Sequence, residues 1–171
     1  MDLTQQPSLA INIRPAKATE VDLLAAIELD AWRNGIKPLL PVLCAEVVEA
    51  NNPFQPFVHA CIEHILVAQL GDNIAGFAAR EFNDNRITDL WVYSLFEGKG
   101  IATTLLMALE AEIQNAGYTT ALITVTAQNT RAHQLYTHLD YKVIRKETRY
   151  DRALKTSLEK VDLGKIFETQ I

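Results

Sequence analysis

The sequence predicts one mixed α/β domain: a central, mostly antiparallel sheet of about seven strands, flanked by helices, with one parallel strand–helix–strand unit. Three observations predict it. Short stretches that alternate apolar and polar residues lie on both sides of stretches with helical spacing. Gly71-Asp72-Asn73 and Asn83-Asp84-Asn85 carry the turn chemistry that joins antiparallel neighbours. A two-glycine turn, Glu97-Gly98-Lys99-Gly100-Ile101-Ala102, separates an apolar run from an amphipathic helix.

Each element follows in chain order. Residues 9–14 alternate and form a short strand closed by Pro15. Thr19-Glu20-Val21-Asp22 resembles a capping box with Thr19 as N-cap. The helix it opens turns Leu23, Leu24, Ile27 and Ala31 inward and ends at Gly35. A second helix covers about 41–50. Residues 51–56 read as a loop by their prolines, and 57–63 as a further helical turn. Residues 65–70 and 74–82 are paired strands, and 88–93 is the strand before the glycine turn. In 101–116 the apolar positions 101, 105, 106, 109 and 113 make one helical face, and Gly117 sits where a helix C-terminal glycine belongs. Residues 120–126 are β-branched and apolar, a buried strand. A helix over 130–139 places Ala132, Leu135, Tyr136 and Leu139 on one side. Residues 141–150 and 157–163 are the last strands, and 164–171 a tail. The strands flanking helix 101–116 should run parallel, joined by a right-handed crossover. No repeat or linker interrupts the chain, so the single domain has its core over about 9–163.

Composition bounds the function. The chain has 171 residues, 49% apolar and 22% charged, which suits one globular domain with a sizeable core. No run approaches the ~18–20 apolar residues of a membrane span. The first residues lack a signal-peptide pattern. Cys44 and Cys61 have neither metal-ligand nor disulfide spacing, which suits reduced thiols in the cytoplasm. The histidine pairs 59/64 and 133/138 are not spaced as ligands on one helix face, so no metal is expected. The net charge of −5 without a basic stripe argues against nucleic acid.

The glycine turn carries the chemistry. Glycines let the backbone turn tightly and approach a ligand, and the unpaired N–H groups of the first helical turn favour an anion, usually a phosphate. Two known phosphate loops fail. Lys99 precedes Gly100, so there is no P-loop, and Thr103 stands where a dinucleotide fingerprint needs Gly or Ala.

The segment resembles the GNAT superfamily of acyl-CoA-dependent N-acetyltransferases. That loop pattern is Gln or Arg, two residues, Gly, one residue, then Gly or Ala; here it reads Glu97, Gly98-Lys99, Gly100, Ile101, Ala102. A second pattern follows the next strand as Asn129, Ala132, Leu135-Tyr136, Asp140, Tyr141. The likeness is specific over about 86–145. Glu97 departs from Gln or Arg and is expected to turn to solvent, partly offset by Lys99. Asp140 replaces a Gly, and Asp tolerates left-handed backbone.

The resemblance implies direct acetyl transfer from acetyl-CoA to an amine, without a metal. It assigns the pyrophosphate to the N–H groups around Gly98, Lys99, Gly100, Ile101, Ala102 and Thr103. It places the pantetheine arm near Val92, puts Asn129 and Arg131 beside the CoA path, and makes Tyr136 the general acid. Arg86 occupies the position where some members carry a basic Glu and cannot serve. Asp89, Glu81 or a water relay remain open as base. The rival reading is an acyl-CoA sensor without turnover. The acceptor, small molecule or peptide, is expected to be held by about 31–69, and a homodimer is expected on family grounds. Residues 1–90 hold six Lys/Arg against twelve Asp/Glu, a net −6, whereas 91–171 hold ten against nine, a net +1. Clefts of one sign gather ligands of the other, which points to a cationic amine.

Overall fold

A computed structural model describes residues 10–152 and 154–168. Leu9 and residues 169–171 of the expected tail lie outside the described residues. The described residues form eight strands and five α-helices. They are β1 (Ile11–Pro15), α1 (Val21–Gly35), α2 (Val42–Asn51), α3 (Phe54–Cys61), β2 (Ile65–Leu70), β3 (Asn73–Ala79), β4 (Arg86–Ile87) and β5 (Asp89–Val92). Then follow α4 (Ile101–Asn115), β6 (Thr120–Thr126), α5 (Thr130–His138), β7 (Lys142–Asp151) and β8 (Thr156–Ile166).

The strands make two four-stranded sheets rather than one of about seven, ordered β1-β2-β3-β5 and β4-β6-β8-β7. The strand expected over 88–93 is β5, and a separate two-residue strand, β4, precedes it. β4 pairs parallel with β6, Arg86 opposite Leu122, whereas β5 pairs antiparallel with β3, Trp91 opposite Phe77. Thr88 is the pivot. Its N–H and hydroxyl both donate to Ala79 O, and its Oγ1 accepts Glu81 N–H. The parallel unit therefore exists, but its first strand is β4, and the sheets part company just beyond it.

The first sheet is covered on both faces. Ile65, Val67, Phe77 and Ala79 pack toward α1, α2 and α3, while Ala68, Ala75 and Ala78 pack under α4. The five α4 positions expected inward, Ile101, Leu105, Leu106, Leu109 and Ile113, are all buried. β6 differs from the expected fully buried strand. Its burial alternates, because the second sheet has one open face where Thr124 hydrogen-bonds Asp162.

Local departures have physical reasons. Leu23 is half exposed, because the inward stripe runs Leu24, Ile27, Glu28, Ala31. Thr19 does not cap α1. Glu20, held by Arg14 at 2.6 Å, instead accepts Lys17 N–H at the 3₁₀ turn before the helix. Helix α3 starts inside the proline loop, since Pro53 and Pro56 sit where a first turn tolerates a missing N–H. Gly164–Ile166 is strand rather than tail: Lys165 pairs with Ala121.

Gly76 sits where β3 approaches β5 most closely. A Cβ there would lie 2.5 Å from Trp91 O and 3.1 Å from Ile101 Cγ2. Gly76→Ala must push β5 outward, at an overpacking cost of about 1–3 kcal/mol. Urea denaturation should show a lowered midpoint, and an unchanged midpoint would mean that β5 yields freely.

Candidate active site

A cleft of about 390 Å³ opens where the sheets splay. Leu90, Trp91 and Val92 of β5 form its floor, and Ala31, Gly35 and Ile36 line it from the end of α1. Asn129, Arg131, Ala132, Leu135 and Tyr136 face them from α5, and the glycine turn closes one end. The size is that of a small-molecule site.

At the glycine turn, Gly98 and Gly100 have φ of 72° and 79°, the left-handed region that favours glycine. Gly100 is the N-cap of α4 and offers no side-chain oxygen to cap it. Thr104 N–H is satisfied by Gly100 O, while the N–H groups of Ile101, Ala102 and Thr103 are left at the positive end of the helix dipole. A built Cβ at Gly98 or Gly100 meets nothing within 4 Å, so the space above the turn is open to a ligand. The donors and the space both fit a pyrophosphate.

β5 is an edge strand, and its hydrogen-bond phase is set. Tyr93 N–H donates to Ala75 O, so antiparallel alternation pairs Trp91 with Phe77. Leu90 and Val92 thus turn their own N–H and C=O away from β3, along the cleft floor. An extended amide-bearing arm can pair with that edge as a further strand would.

Helix α5 supplies the opposite wall. Asn129 is its N-cap, with Oδ1 accepting Ala132 N–H at 3.1 Å. Asp140 adopts φ 70°, and Tyr141 N–H reaches Tyr136 O, the hydrogen bond of a Schellman ending. The aspartate therefore performs the turn that a glycine makes in the resembled pattern. Tyr141 is buried, donates its hydroxyl to Glu110, and packs its ring 5.8 Å from that of Tyr136, fixing the latter in the cleft wall. Burial, with the charge of Asp89 second, raises the Tyr136 pKa, so its hydroxyl stays protonated at neutral pH. Glu97 does not lean on Lys99. It pairs with Arg131 at 2.9 Å, joining the glycine turn to α5, because both side chains line the cleft.

Asp89 adjoins the cleft without lining it. It shares the α1-facing side of β5 with Trp91, whose Nε1 donates to Asp89 Oδ1 at 3.3 Å. Burial pushes its pKa up to about 6, against hydrogen bonds from Thr88 and Trp91 that favour the anion, with Glu81 adding a small upward push. Arg86 is exposed in the other sheet, near Asp84. Of the residues expected in the site, Val92, Gly98, Gly100, Ile101, Ala102, Thr103, Asn129, Arg131 and Tyr136 meet in one cleft, whereas exposed Lys99 stands off its wall. The sequence reading missed Ala31, Gly35 and Ile36 as lining residues that face the glycine turn, and it missed Glu28. The signal for Glu28 was available: an acid in the apolar stripe of α1, four residues from Leu24 and three from Ala31.

Among the described residues no helix is long and apolar enough to cross a membrane. Comparison with curated proteins finds no match. Solved structures match over nearly the whole chain. A GCN5-related N-acetyltransferase from Rhodopseudomonas palustris is 18% identical with a TM-score of 0.76, covering 95% of this chain and 99% of that one. The PaiA N-acetyltransferase from Thermoplasma acidophilum, in complex with coenzyme A, is 18% identical with a TM-score of 0.72, covering 92% and 99%. The putative acetyltransferase YncA from Salmonella typhimurium, with its cofactor acetyl-CoA, is 16% identical with a TM-score of 0.64, covering 95% and 96%. These likenesses show a shared fold. The family model of the acetyltransferase (GNAT) domain matches residues 42–160, most of the chain, and with it the glycine turn and α5 that build the cleft. The chain belongs to the GNAT acetyltransferase family.

Proposed function

We propose that the protein is an N-acetyltransferase that moves an acetyl group from acetyl-CoA directly to a primary amine. The observation that carries this reading is the meeting, in one cleft, of an uncapped α4 N-terminus, the free edge of β5 and the buried Tyr136. Bound acetyl-CoA supplies the acetyl group as a thioester. The N–H groups of residues 101–103 hold its pyrophosphate, with Arg131 near the same path. The edge groups of Leu90 and Val92 hold the arm, and an N–H there polarises the thioester carbonyl. Asp89 accepts a proton from the amine. Tyr136 donates one to the departing sulfur. Neither step needs a covalent enzyme intermediate.

The test begins with binding. Gly100→Val places a branched side chain in the open space above the turn, at a backbone angle valine resists. Calorimetry with coenzyme A should show affinity lowered at least about tenfold, roughly 1.4 kcal/mol. Unchanged affinity in a folded variant, checked by circular dichroism, rejects the site. Release of free coenzyme A in the presence of amines, followed with a thiol reagent, tests turnover. Binding without release on any amine would favour an acyl-CoA sensor.

A further inference from the structure

Glu28 is a buried carboxyl that the reaction as described does not use. It is 4% exposed, and its Oε2 has no hydrogen-bond partner among the described residues. A polar atom left in this state is costly, and it asks for a donor. Its place gives a direction. Glu28, Ala31 and Gly35 fall on one stripe of α1, and Ala31 and Gly35 line the cleft. Helical side chains lean toward the N-terminus, so Glu28 extends that wall one turn further from its Ala31. On the floor the same direction runs from Val92 to Leu90 to Asp89, away from the glycine turn. Both strips therefore end in a carboxyl, at the end opposite the anion-binding turn.

The surroundings of these carboxyls are acidic. Glu28 is faced by Asp89 from β5, and the buried Cys61 of α3 feels Asp89, Glu81 and Glu28 together. Tyr136 is reached by the charge of Asp89 as well. Among the described residues no Lys, Arg or His forms an ion pair with Glu28, Glu81 or Asp89. Elsewhere buried acids in this protein do have cations, as Glu110 has Lys165 at 2.8 Å. Burial chiefly, and Asp89 second, raises the Glu28 pKa to about 9. At neutral pH the pair thus holds one proton and one negative charge.

We propose that Glu28 and Asp89 form the site for a protonated amine acceptor, Glu28 receiving N–H groups of the ammonium while Asp89 takes the proton that leaves it. This rests on the acetyl-transfer reading and narrows its acceptor to a cationic primary amine. In the step, an ammonium N–H bond breaks, an Asp89 O–H bond forms, and the nitrogen lone pair is freed to attack. Asp89 then gives the proton to water. An ammonium carries three N–H donors, and one of them matches Glu28 Oε2, the oxygen that the fold leaves unsatisfied. A cation beside Glu28 favours its ionised form, so amine binding between pH 6 and 9 should expel a proton.

The test uses n-butylamine, with n-butanol as a size-matched neutral probe. Calorimetry in two buffers of different ionisation enthalpy should show proton release when n-butylamine binds the wild type, and none with n-butanol. Glu28→Gln is isosteric with the protonated acid. It should abolish that release and raise KM for n-butylamine at least about tenfold, with KM for acetyl-CoA little changed. Glu28→Asp keeps a carboxyl and should restore the release. A folded Glu28→Gln variant with wild-type amine KM and proton release overturns the proposal. Should no amine be acetylated, the transfer reading fails by itself: proton release on n-butylamine binding would still support the ammonium site, and its absence would overturn it.

Discussion

Tyr136→Phe should lower kcat about 10²-fold and leave the affinity for coenzyme A nearly unchanged. The substitution removes one oxygen and keeps the ring that packs on Tyr141 at 5.8 Å. General acid catalysis is typically worth about 10²–10⁴-fold. The lower end is expected here, because burial raises the Tyr136 pKa. The hydroxyl is reliably protonated, but giving its proton to a thiolate is uphill. Pre-steady-state release of coenzyme A measures the chemical step directly. A change below about threefold in that step would leave Tyr136 as a packing residue, since no general acid works so weakly.

Asp89→Asn should produce a comparable loss, about 10²–10⁴-fold in kcat/KM for the amine, with a distinctive pH signature. A base must be ionised to accept a proton. Asp89 has its pKa raised to about 6, so in the wild type kcat at saturating amine should climb tenfold per pH unit below about 6 and then level off. The Cys61 thiol, raised to about 12, and the Tyr136 hydroxyl, also raised, remain neutral across this range, whereas Glu28 of the free enzyme stays protonated to about 9. The kcat plateau should therefore span about 6 to 9, while kcat/KM for the amine keeps rising there because binding releases the Glu28 proton. In Asp89→Asn the amine must lose its proton in solution. The rate should then keep climbing through that interval. A wild-type profile with no break near 6 would assign the proton to water instead.

The two variants report on different ends of one arrangement. Tyr136 is held from α5 and Asp89 from β5, and the charge of Asp89 already reaches Tyr136. A double variant should therefore lose less than the sum of the two single effects, as groups sharing one network do.

Much of this was legible in the chain alone, where the chemistry is local. The glycine turn could be read because left-handed backbone at 98 and 100 and five apolar positions at helical spacing are set by neighbours in sequence. The Asn129 cap and the left-handed Asp140 are local in the same sense. Three things required the tertiary structure. Residues 88–93 read as the first strand of the parallel unit, but β4 takes that pairing and β5 joins the other sheet, since strand pairing depends on partners elsewhere in the chain. Glu97 meets Arg131 across 34 positions of sequence, a neighbour that no local rule supplies. Glu28 and Asp89 face one another because α1 lies along β5 on the side where alternation turns Asp89 and Trp91. The sequence by itself determined where an anion can be held, through backbone conformation and helix periodicity. Packing decided where the acids gather and how the cleft opens, because both follow from contacts between elements far apart in the chain.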